Sequence, residues 1–243
     1  MHPFLIALQF LTRVPVNVSG EWSAENIGKS LLYYPLVGFI IGALLMLLAY
    51  VLQDQSPMLL AALILTCWVL ITGGLHLDGL ADSADAWAGA HGDKQRALEI
   101  MKDSCAGPIA IILLVLVLLI KFSALYVLLQ LEMPWLLLLA PMLGRSAVII
   151  LFMTTPYVRE QGLGSDMKKY LPQQHVYAPL ALVLLVLFIF TDFGLALAVT
   201  MMGLLTLLFL RHLMLKRIDG MTGDTIGASI EIIETIVLCV LVF

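Results

Sequence analysis

Charged side chains are scarce in this sequence. Asp, Glu, Lys and Arg make up 12% of its 243 residues, whereas 61% are hydrophobic. Soluble domains average about 25% charged and about 45–50% apolar residues. Because a water-soluble globule has no place for so much apolar surface, a soluble enzyme, a disordered chain and a small secreted domain are excluded. A net charge of −4 without a polybasic run argues against a nucleic-acid partner. The sequence predicts an integral membrane protein.

Cysteines and long polar stretches are also few. Cys67, Cys105 and Cys239 lie far apart and show neither C-x-x-C nor zinc-ligand spacing, so nothing requires an oxidising compartment. No polar stretch is long enough for a second domain. Residues 1–243 are therefore predicted to form a single membrane-embedded domain.

Long apolar runs are what the sequence has in abundance. A helix needs about 20 mostly apolar residues to cross about 30 Å of hydrocarbon. About seven runs meet or approach this length, which predicts an all-α, polytopic transmembrane helix bundle. The apolar segment Phe4–Val14 is too short to cross and suits an interfacial or re-entrant helix. The predicted spans are Leu31–Gln53, Met58–Leu75, Gly107–Gln130, Trp135–Thr155, Tyr177–Phe190, Phe193–Leu210 and Ile226–Phe243.

Basic residues fall on one side of this layout. Most Lys and Arg residues lie in the N-terminal segment or in alternate connections, whereas the other connections hold Asp54, Glu132 and Asp192 and no basic residue. The positive-inside rule then predicts a cytoplasmic N-terminus and, with seven spans, a C-terminus on the opposite face. The long polar connections 76–106, 156–176 and 211–225 share the cytoplasmic face, where any chemistry is expected.

Three aspartates follow the second predicted span. Asp78, Asp82 and Asp85 are spaced i, i+4, i+7, which places them within about 60° of one another on a helix. Carboxylates this close raise one another's pKa or require a counter-ion. Mg²⁺ takes oxygen ligands and keeps positions open for water and phosphate. The pattern favours a magnesium site over a merely solvated acidic helix end.

Further acidic residues lie beside or within the later spans. Residues 93–104 are predicted to form a helix, and Asp103 near its end either supplies a fourth carboxylate or caps the third span. Asp224 and Glu231 share one face of the last span, and Glu231 and Glu234 lie one turn apart. Because ionisable side chains inside a membrane are costly, these glutamates are predicted to be functional.

Basic residues also occur at membrane depth. Arg145 and Lys121 fall within predicted spans, which suggests either a polar pocket for an anionic substrate or a buried ion pair such as Arg145 with Glu231. His76 is either a ligand or base, or a hydrogen-bonded structural residue. Arg13 either contacts a phosphate or extends from the interface to solvent.

Five segments in this order resemble one known family. They are Phe10–Pro15 (FLTRVP), Gly73–Asp85 (GGLHLDGLADSAD), Met101–Ser104 (MKDS), Gly144–Ser146 (GRS) and Thr222–Ala228 (TGDTIGA). The chain resembles the cobalamin synthase family, whose members are also called adenosylcobinamide-GDP ribazoletransferases. The resemblance covers nearly the whole chain.

The resemblance implies a multi-pass enzyme of the cell inner membrane. Such enzymes join α-ribazole, or its 5′-phosphate, to adenosylcobinamide-GDP, release GMP and need Mg²⁺. The expected partners are these two substrates, the lipid bilayer and, in a homo-oligomer, a second copy of the chain.

Roles for individual residues are inferred from their positions in these segments, since the resemblance itself does not fix them. Asp78, Asp82 and Asp85 would hold Mg²⁺. The predicted catalytic residues are Asp82, Asp85, His76 and Asp103, and the predicted substrate-binding residues are Arg13, Lys102, Arg145, Asp224 and Glu231.

Two alternative functions are weighed against this one. A CDP-alcohol phosphotransferase would need D-G-x-x-A-R, but Asp82 and Ser83 stand where the alanine and the arginine of that motif belong. A secondary transporter would place ionisable groups near the midplane and serve both faces, whereas here the acidic cluster lies at one edge.

Overall fold

The computed structural model describes residues 2–15, 22–103 and 105–243. Within these ranges the chain is helical, and its only β-type pairing is an isolated bridge between Tyr157 and Met221. The predicted all-α bundle is therefore confirmed. In chain order the helices are α1 (Pro3–Leu11), α2 (Ala24–Ser30), α3 (Tyr34–Val51), α4 (Pro57–Thr72), α5 (Leu75–Gly89), α6 (Lys94–Ile100), α7 (Pro108–Gln130), α8 (Leu139–Thr154), α9 (Leu163–Tyr170), α10 (Tyr177–Phe190), α11 (Phe193–Ile218) and α12 (Gly223–Val242).

Six helical stretches of the described chain are long and apolar enough to cross a membrane, and the bent pair α4–α5 makes a seventh if it counts as one span. This agrees with the predicted number of about seven, and the protein is a multi-pass membrane protein. The six stretches are Ala24–Val51, Pro108–Gln130, Pro134–Thr154, Gln173–Phe190, Phe193–Ile218 and Gly223–Val242.

The chain bends sharply where the second predicted span, Met58–Leu75, ends. The axes of α4 and α5 differ by 87°, because Gly73 and Gly74 adopt φ values of 65° and 71°, a left-handed backbone that glycine tolerates. A side chain at Gly73 would also displace Arg13, since a Cβ there would lie 2.1 Å from Nε of Arg13. The bend lays α5, which carries the three aspartates, against α7 and α12.

Several predicted boundaries need correction. The helix predicted over residues 93–104 is shorter, because α6 ends at Ile100 and residues 101–103 form a turn; Ser104 lies outside the described residues. The sixth span continues beyond Leu210 to Ile218, and the last begins at Gly223. The break before the sixth span is confirmed, since Asp192 caps α11 by accepting hydrogen bonds from two of its first backbone N–H groups.

α8 and α12 form the interior of the bundle. In the most apolar 18 residues of each span, 83% of residues are buried in Pro134–Thr154, which includes α8, and 72% in α12. The buried share is 28% in α7, 17% in Gln173–Phe190, which includes α10, and 22% in α11. The last three helices therefore present most of their surface to lipid. Polar residues on α8 and α12 must find their partners within the protein, because lipid offers none.

Candidate active site at the contact of α5 and α12

α5 and α12 lie unusually close together because glycines stand at their contact. A Cβ on Gly79 would lie 2.6 Å from the carbonyl oxygen of Asp224, and a Cβ on Gly227 would lie 3.3 Å from Cα of His76. Small residues let helix backbones approach one another in this way. The close approach brings the α5 aspartates beside Asp224.

Four carboxylates gather at this contact. Asp82 lies within electrostatic range of Asp78, Asp85 and Asp224, and of the cation Arg159. Asp78 is exposed and Asp82 half-buried, and neither has an ion-pair partner among the described residues. The described part of the chain contains no group of three His, Cys, Asp or Glu side chains placed to hold one metal ion. The three-aspartate metal site therefore stays a prediction.

Asp85 has a structural task that the sequence did not reveal. One of its carboxylate oxygens accepts a hydrogen bond from the backbone N–H of Gly107, and the other accepts one from Ala110 at 2.9 Å. These N–H groups belong to the first turn of α7, which has no capping side chain of its own. Asp85 thus ties α5 to the start of α7, and its predicted metal and catalytic roles remain untested.

Arg159 is a site residue that sequence reasoning missed. Its Nη2 donates a hydrogen bond to Oδ2 of Asp224 at 2.6 Å, and both side chains are partly buried. The loop that carries Arg159 is held by two backbone hydrogen bonds, from Val158 to the carbonyl of Met221 and from Met221 to the carbonyl of Pro156. From the sequence alone, Arg159 cannot be distinguished from the other basic residues of the loops.

A pocket of about 290 Å³ opens beside these groups, between α1, α3, α5, α8, α9 and α12. Of the predicted site residues, His76, Asp78 and Asp224 line it, together with Arg159 and Tyr157. Burial raises the pKa of the Tyr157 hydroxyl, so this group stays protonated at neutral pH. The remaining lining is mostly apolar and includes Phe10, Leu11, Tyr34, Leu75, Val148, Phe152, Met167, Ile226 and Ile230.

The buried charges lie behind the pocket and pair with one another. Lys121 contacts Glu231 at 2.5 Å and Glu234 at 2.6 Å, and Arg145 contacts Glu234. The prediction that Arg145 pairs with Glu231 is therefore wrong, because Arg145 pairs with Glu234. Lys121 also lies 4.6 Å from the ring centroid of Trp68. Because Arg145 and Glu231 are fully or almost fully buried outside the pocket lining, this network holds α7, α8 and α12 together, and their predicted substrate-binding role stays untested.

His76 connects the buried network to the pocket. Nη2 of Arg145 lies 3.4 Å from its Nδ1. A guanidinium can only donate hydrogen bonds, so Nδ1 must accept, and the ring hydrogen of the neutral imidazole is then on Nε2. His76 lines the pocket and is suited to donate a hydrogen bond to a ligand there. The predicted role of His76 as a ligand or base stays a prediction.

Three other predicted residues lie away from the pocket lining. Arg13 is exposed; its backbone N–H donates to the carbonyl of Ile71 at 2.7 Å, and its side chain covers Gly73. Lys102 and Asp103 are exposed in the turn after α6, where Asp103 accepts a hydrogen bond from the backbone of Cys105. In the described chain no ion pair joins the side chains of these residues to the four carboxylates.

The chain matches the protein family described as cobalamin-5-phosphate synthase over residues 3–242. The chain belongs to this family. The resemblance inferred from the sequence segments is thereby confirmed. No solved structure matches the chain.

Relatives in the cobalamin-5-phosphate synthase family share about half of the sequence. The adenosylcobinamide-GDP ribazoletransferase of Stutzerimonas stutzeri (strain A1501) is 52% identical over 238 residues, which cover 98% of this chain and 96% of that protein. The enzyme of the same name from Pseudomonas putida (strain GB-1) is 50% identical, with 98% and 97% covered. A third, from Acinetobacter baumannii (strain ATCC 17978), is 47% identical over 239 residues, with 98% and 96% covered.

Proposed function

We propose that this protein joins α-ribazole, or its 5′-phosphate, to adenosylcobinamide-GDP and releases GMP. The observation that carries the proposal is the family match over residues 3–242, with relatives of that name at about 50% identity over nearly their whole length. The pocket supports it, because carboxylates, a guanidinium and an imidazole meet there beside an apolar cavity.

Mg²⁺ fits the donor set at this site. Magnesium is usually held by one or two carboxylates together with substrate phosphates. Asp78 and Asp82 have no ion-pair partner in the described chain and are the residues that would hold it, whereas Asp224 is paired with Arg159. When bound, the ion would neutralise charge on the diphosphate of the donor. Asp85 would act by holding α5 against α7.

The reaction is a displacement at phosphorus. A hydroxyl oxygen of the acceptor's ribose forms a bond to the phosphorus next to the cobinamide, while the bond from that phosphorus to the bridging oxygen breaks and the pair of electrons leaves with GMP. The hydroxyl proton passes to water. Such transfers depend mainly on positioning and on charge stabilisation.

The chain's own side chains supply the positioning. The guanidinium of Arg159 has the fork geometry that suits phosphate oxygens, and it stands at the pocket beside Asp224. His76 would donate its Nε2 hydrogen to an oxygen of the bound substrates. If Arg159 exchanged its contact with Asp224 for a contact with a donor phosphate, Asp224 at the start of α12 would lose its partner. Donor binding would then be coupled to the position of α12.

The pocket is proposed to face the cytoplasm from the inner membrane. It lies at the end of the bundle where α5 leaves for α6, where α8 passes into α9 and where α11 passes into α12. The connections at this end carry most of the Lys and Arg residues, as the positive-inside rule expects of a cytoplasmic face.

The purified protein in liposomes, supplied with adenosylcobinamide-GDP and α-ribazole, tests the proposal. GMP release should require both substrates, stop when EDTA removes Mg²⁺ and resume when Mg²⁺ is added back. Asp78→Asn should lower the rate about 100-fold or more. Asp54→Asn, an exposed aspartate in the turn between α3 and α4, is the matched control and should be active. GMP release without an acceptor, or in excess EDTA, would contradict the proposal.

A further inference from the structure

The pocket has two chemically different parts. Asp224 lies at the start of α12, and Asp78 of α5 and Arg159 line the pocket near it. Ile230 lies six residues after Asp224 on α12, about 9 Å deeper at 1.5 Å per residue. The deeper part is lined by aliphatic and aromatic side chains. A ligand in this pocket therefore has one polar end and one apolar end.

Two aromatic pairs line the pocket, and the hydroxyl of Tyr157 in one of them lies within electrostatic range of Arg159 and Asp224 at the polar end. The rings of Phe10 and Tyr34 are stacked, with centroids 6.5 Å apart and planes at 25°, and those of Phe152 and Tyr157 are stacked at 6.1 Å and 16°. All four residues line the pocket. Aromatic rings in this arrangement favour a flat aromatic ligand, which can add to such stacks.

The size of the pocket limits what can enter. Its volume of about 290 Å³ is just below the range of about 300–1,000 Å³ that small-molecule sites span. A nucleoside fits this volume, whereas a corrinoid ring carrying a nucleotide is several times larger. Only one part of the two substrates can therefore occupy the pocket.

The lining distinguishes between the two bases in the reaction. Guanine carries several donors and acceptors on its edges. The lining is mostly apolar and offers few polar side chains to pair with them, Gln161 among these, so burial would leave part of the guanine edges unpaired at a cost. The hydroxyl of Tyr34 is directed to the sulfur of Met167 at 3.6 Å. A dimethylbenzimidazole, the base of α-ribazole, has an apolar edge that loses no hydrogen bond on burial.

We propose that this pocket binds the benzimidazole base of α-ribazole, with its ribose directed toward Asp78 and Asp224. The proposal rests on the transferase function proposed above. It places the corrinoid donor outside the pocket, with its diphosphate at the polar mouth.

Two kinetic variants test the assignment. Phe152→Leu removes a ring from one stack, and Val148→Phe fills the cavity from α8. The KM for α-ribazole should rise about twofold to tenfold in Phe152→Leu, the range expected for one aromatic contact, and more in Val148→Phe. The KM for adenosylcobinamide-GDP should stay within twofold. Phe122→Leu, on α7 and outside the pocket lining, is the matched control and should leave both constants unchanged.

A binding measurement on the unmodified protein keeps the test independent of folding and of turnover. α-Ribazole should bind the protein in nanodiscs with Mg²⁺ present, and GMP should not displace it. If both variants raise the KM for adenosylcobinamide-GDP instead, or if GMP displaces α-ribazole, the pocket takes the donor and the assignment is overturned. Unchanged constants in active variants would also overturn it. If the protein releases no GMP but binds α-ribazole at this pocket, the proposed reaction fails and the base assignment stands.

Discussion

Asp85 gives the sharpest test of what the structure adds to the aspartate pattern. Its two oxygens accept hydrogen bonds from the backbone of Gly107 and Ala110 at the start of α7. In Asp85→Asn one acceptor oxygen remains, and the amide NH₂ group faces the other backbone donor. In Asp85→Ala both donors lose their partner. If Asp85 acts by capping α7, both changes should lower stability more than they lower catalysis.

The magnitude follows from the lost cap. Asn caps helices about as well as Asp, whereas replacement of a capping residue by Ala costs about 0.5–2 kcal/mol. With the loss of one charge-assisted hydrogen bond, we expect Asp85→Asn to cost about 1 kcal/mol and Asp85→Ala about 2 kcal/mol. In a chain of this length each kcal/mol lowers Tm by about 2–4 °C. The GMP release rate of Asp85→Asn should stay within about tenfold of the unmodified protein.

The assay compares Tm in detergent with GMP release in liposomes. Asp82→Asn should lose about 100-fold or more in rate with little change in Tm. Asp192→Asn, which alters the cap of α11 in the same chemical way, is the control and should be fully active. An Asp85→Asn protein with an unchanged Tm, a rate as low as that of Asp82→Asn and a higher requirement for Mg²⁺ would refute the capping argument and make Asp85 a metal ligand.

Three further outcomes are expected. Arg159→Lys should raise the KM for adenosylcobinamide-GDP about tenfold, because an ammonium cannot offer phosphate the two parallel N–H donors of a guanidinium; an unchanged KM would remove Arg159 from donor binding. His76→Gln, whose amide can still donate near the position of Nε2, should retain at least about ten times the rate of His76→Leu; equal rates would exclude the donor role. Lys121→Met should lower stability by about 3–5 kcal/mol, since breaking a buried ion pair leaves an uncompensated charge, and adding Glu231→Gln should recover part of the loss in Tm; no recovery would show that the two charges are not coupled.

The sequence predicts the bundle well because lipid imposes a simple requirement on each span. A run of about 20 apolar residues is a local property, so six spans and their order follow from it directly. The α4–α5 bend escapes this reasoning, since it depends on the φ angles of Gly73 and Gly74 and on the side chain of Arg13 lying against them. Length alone cannot tell a straight span from a bent one.

The candidate site is predicted only where its residues share one helix. The spacing of Asp78 and Asp82 reveals a common face, whereas the close contact with α12 at Gly79 is seen only in the structure. Arg159 comes from a loop whose position depends on hydrogen bonds to Met221, and no periodic pattern marks it. The choice of Glu234 over Glu231 as the partner of Arg145 likewise depends on how α8 and α12 pack, which spacing within one helix does not specify.

The charge network behind the pocket has a consequence for biosynthesis. Lys121 and Arg145 belong to α7 and α8, which are made before α12, whereas the carboxylates that neutralise them belong to α12, the last of the described helices. Until α12 enters the membrane, these two cations lie in the bilayer without their counter-charges, which costs free energy because lipid offers no partner for a charge. A chain truncated before α12 would have two unpaired positive charges in the membrane, unlike the complete bundle. Correct assembly of the bundle therefore depends on insertion of α12.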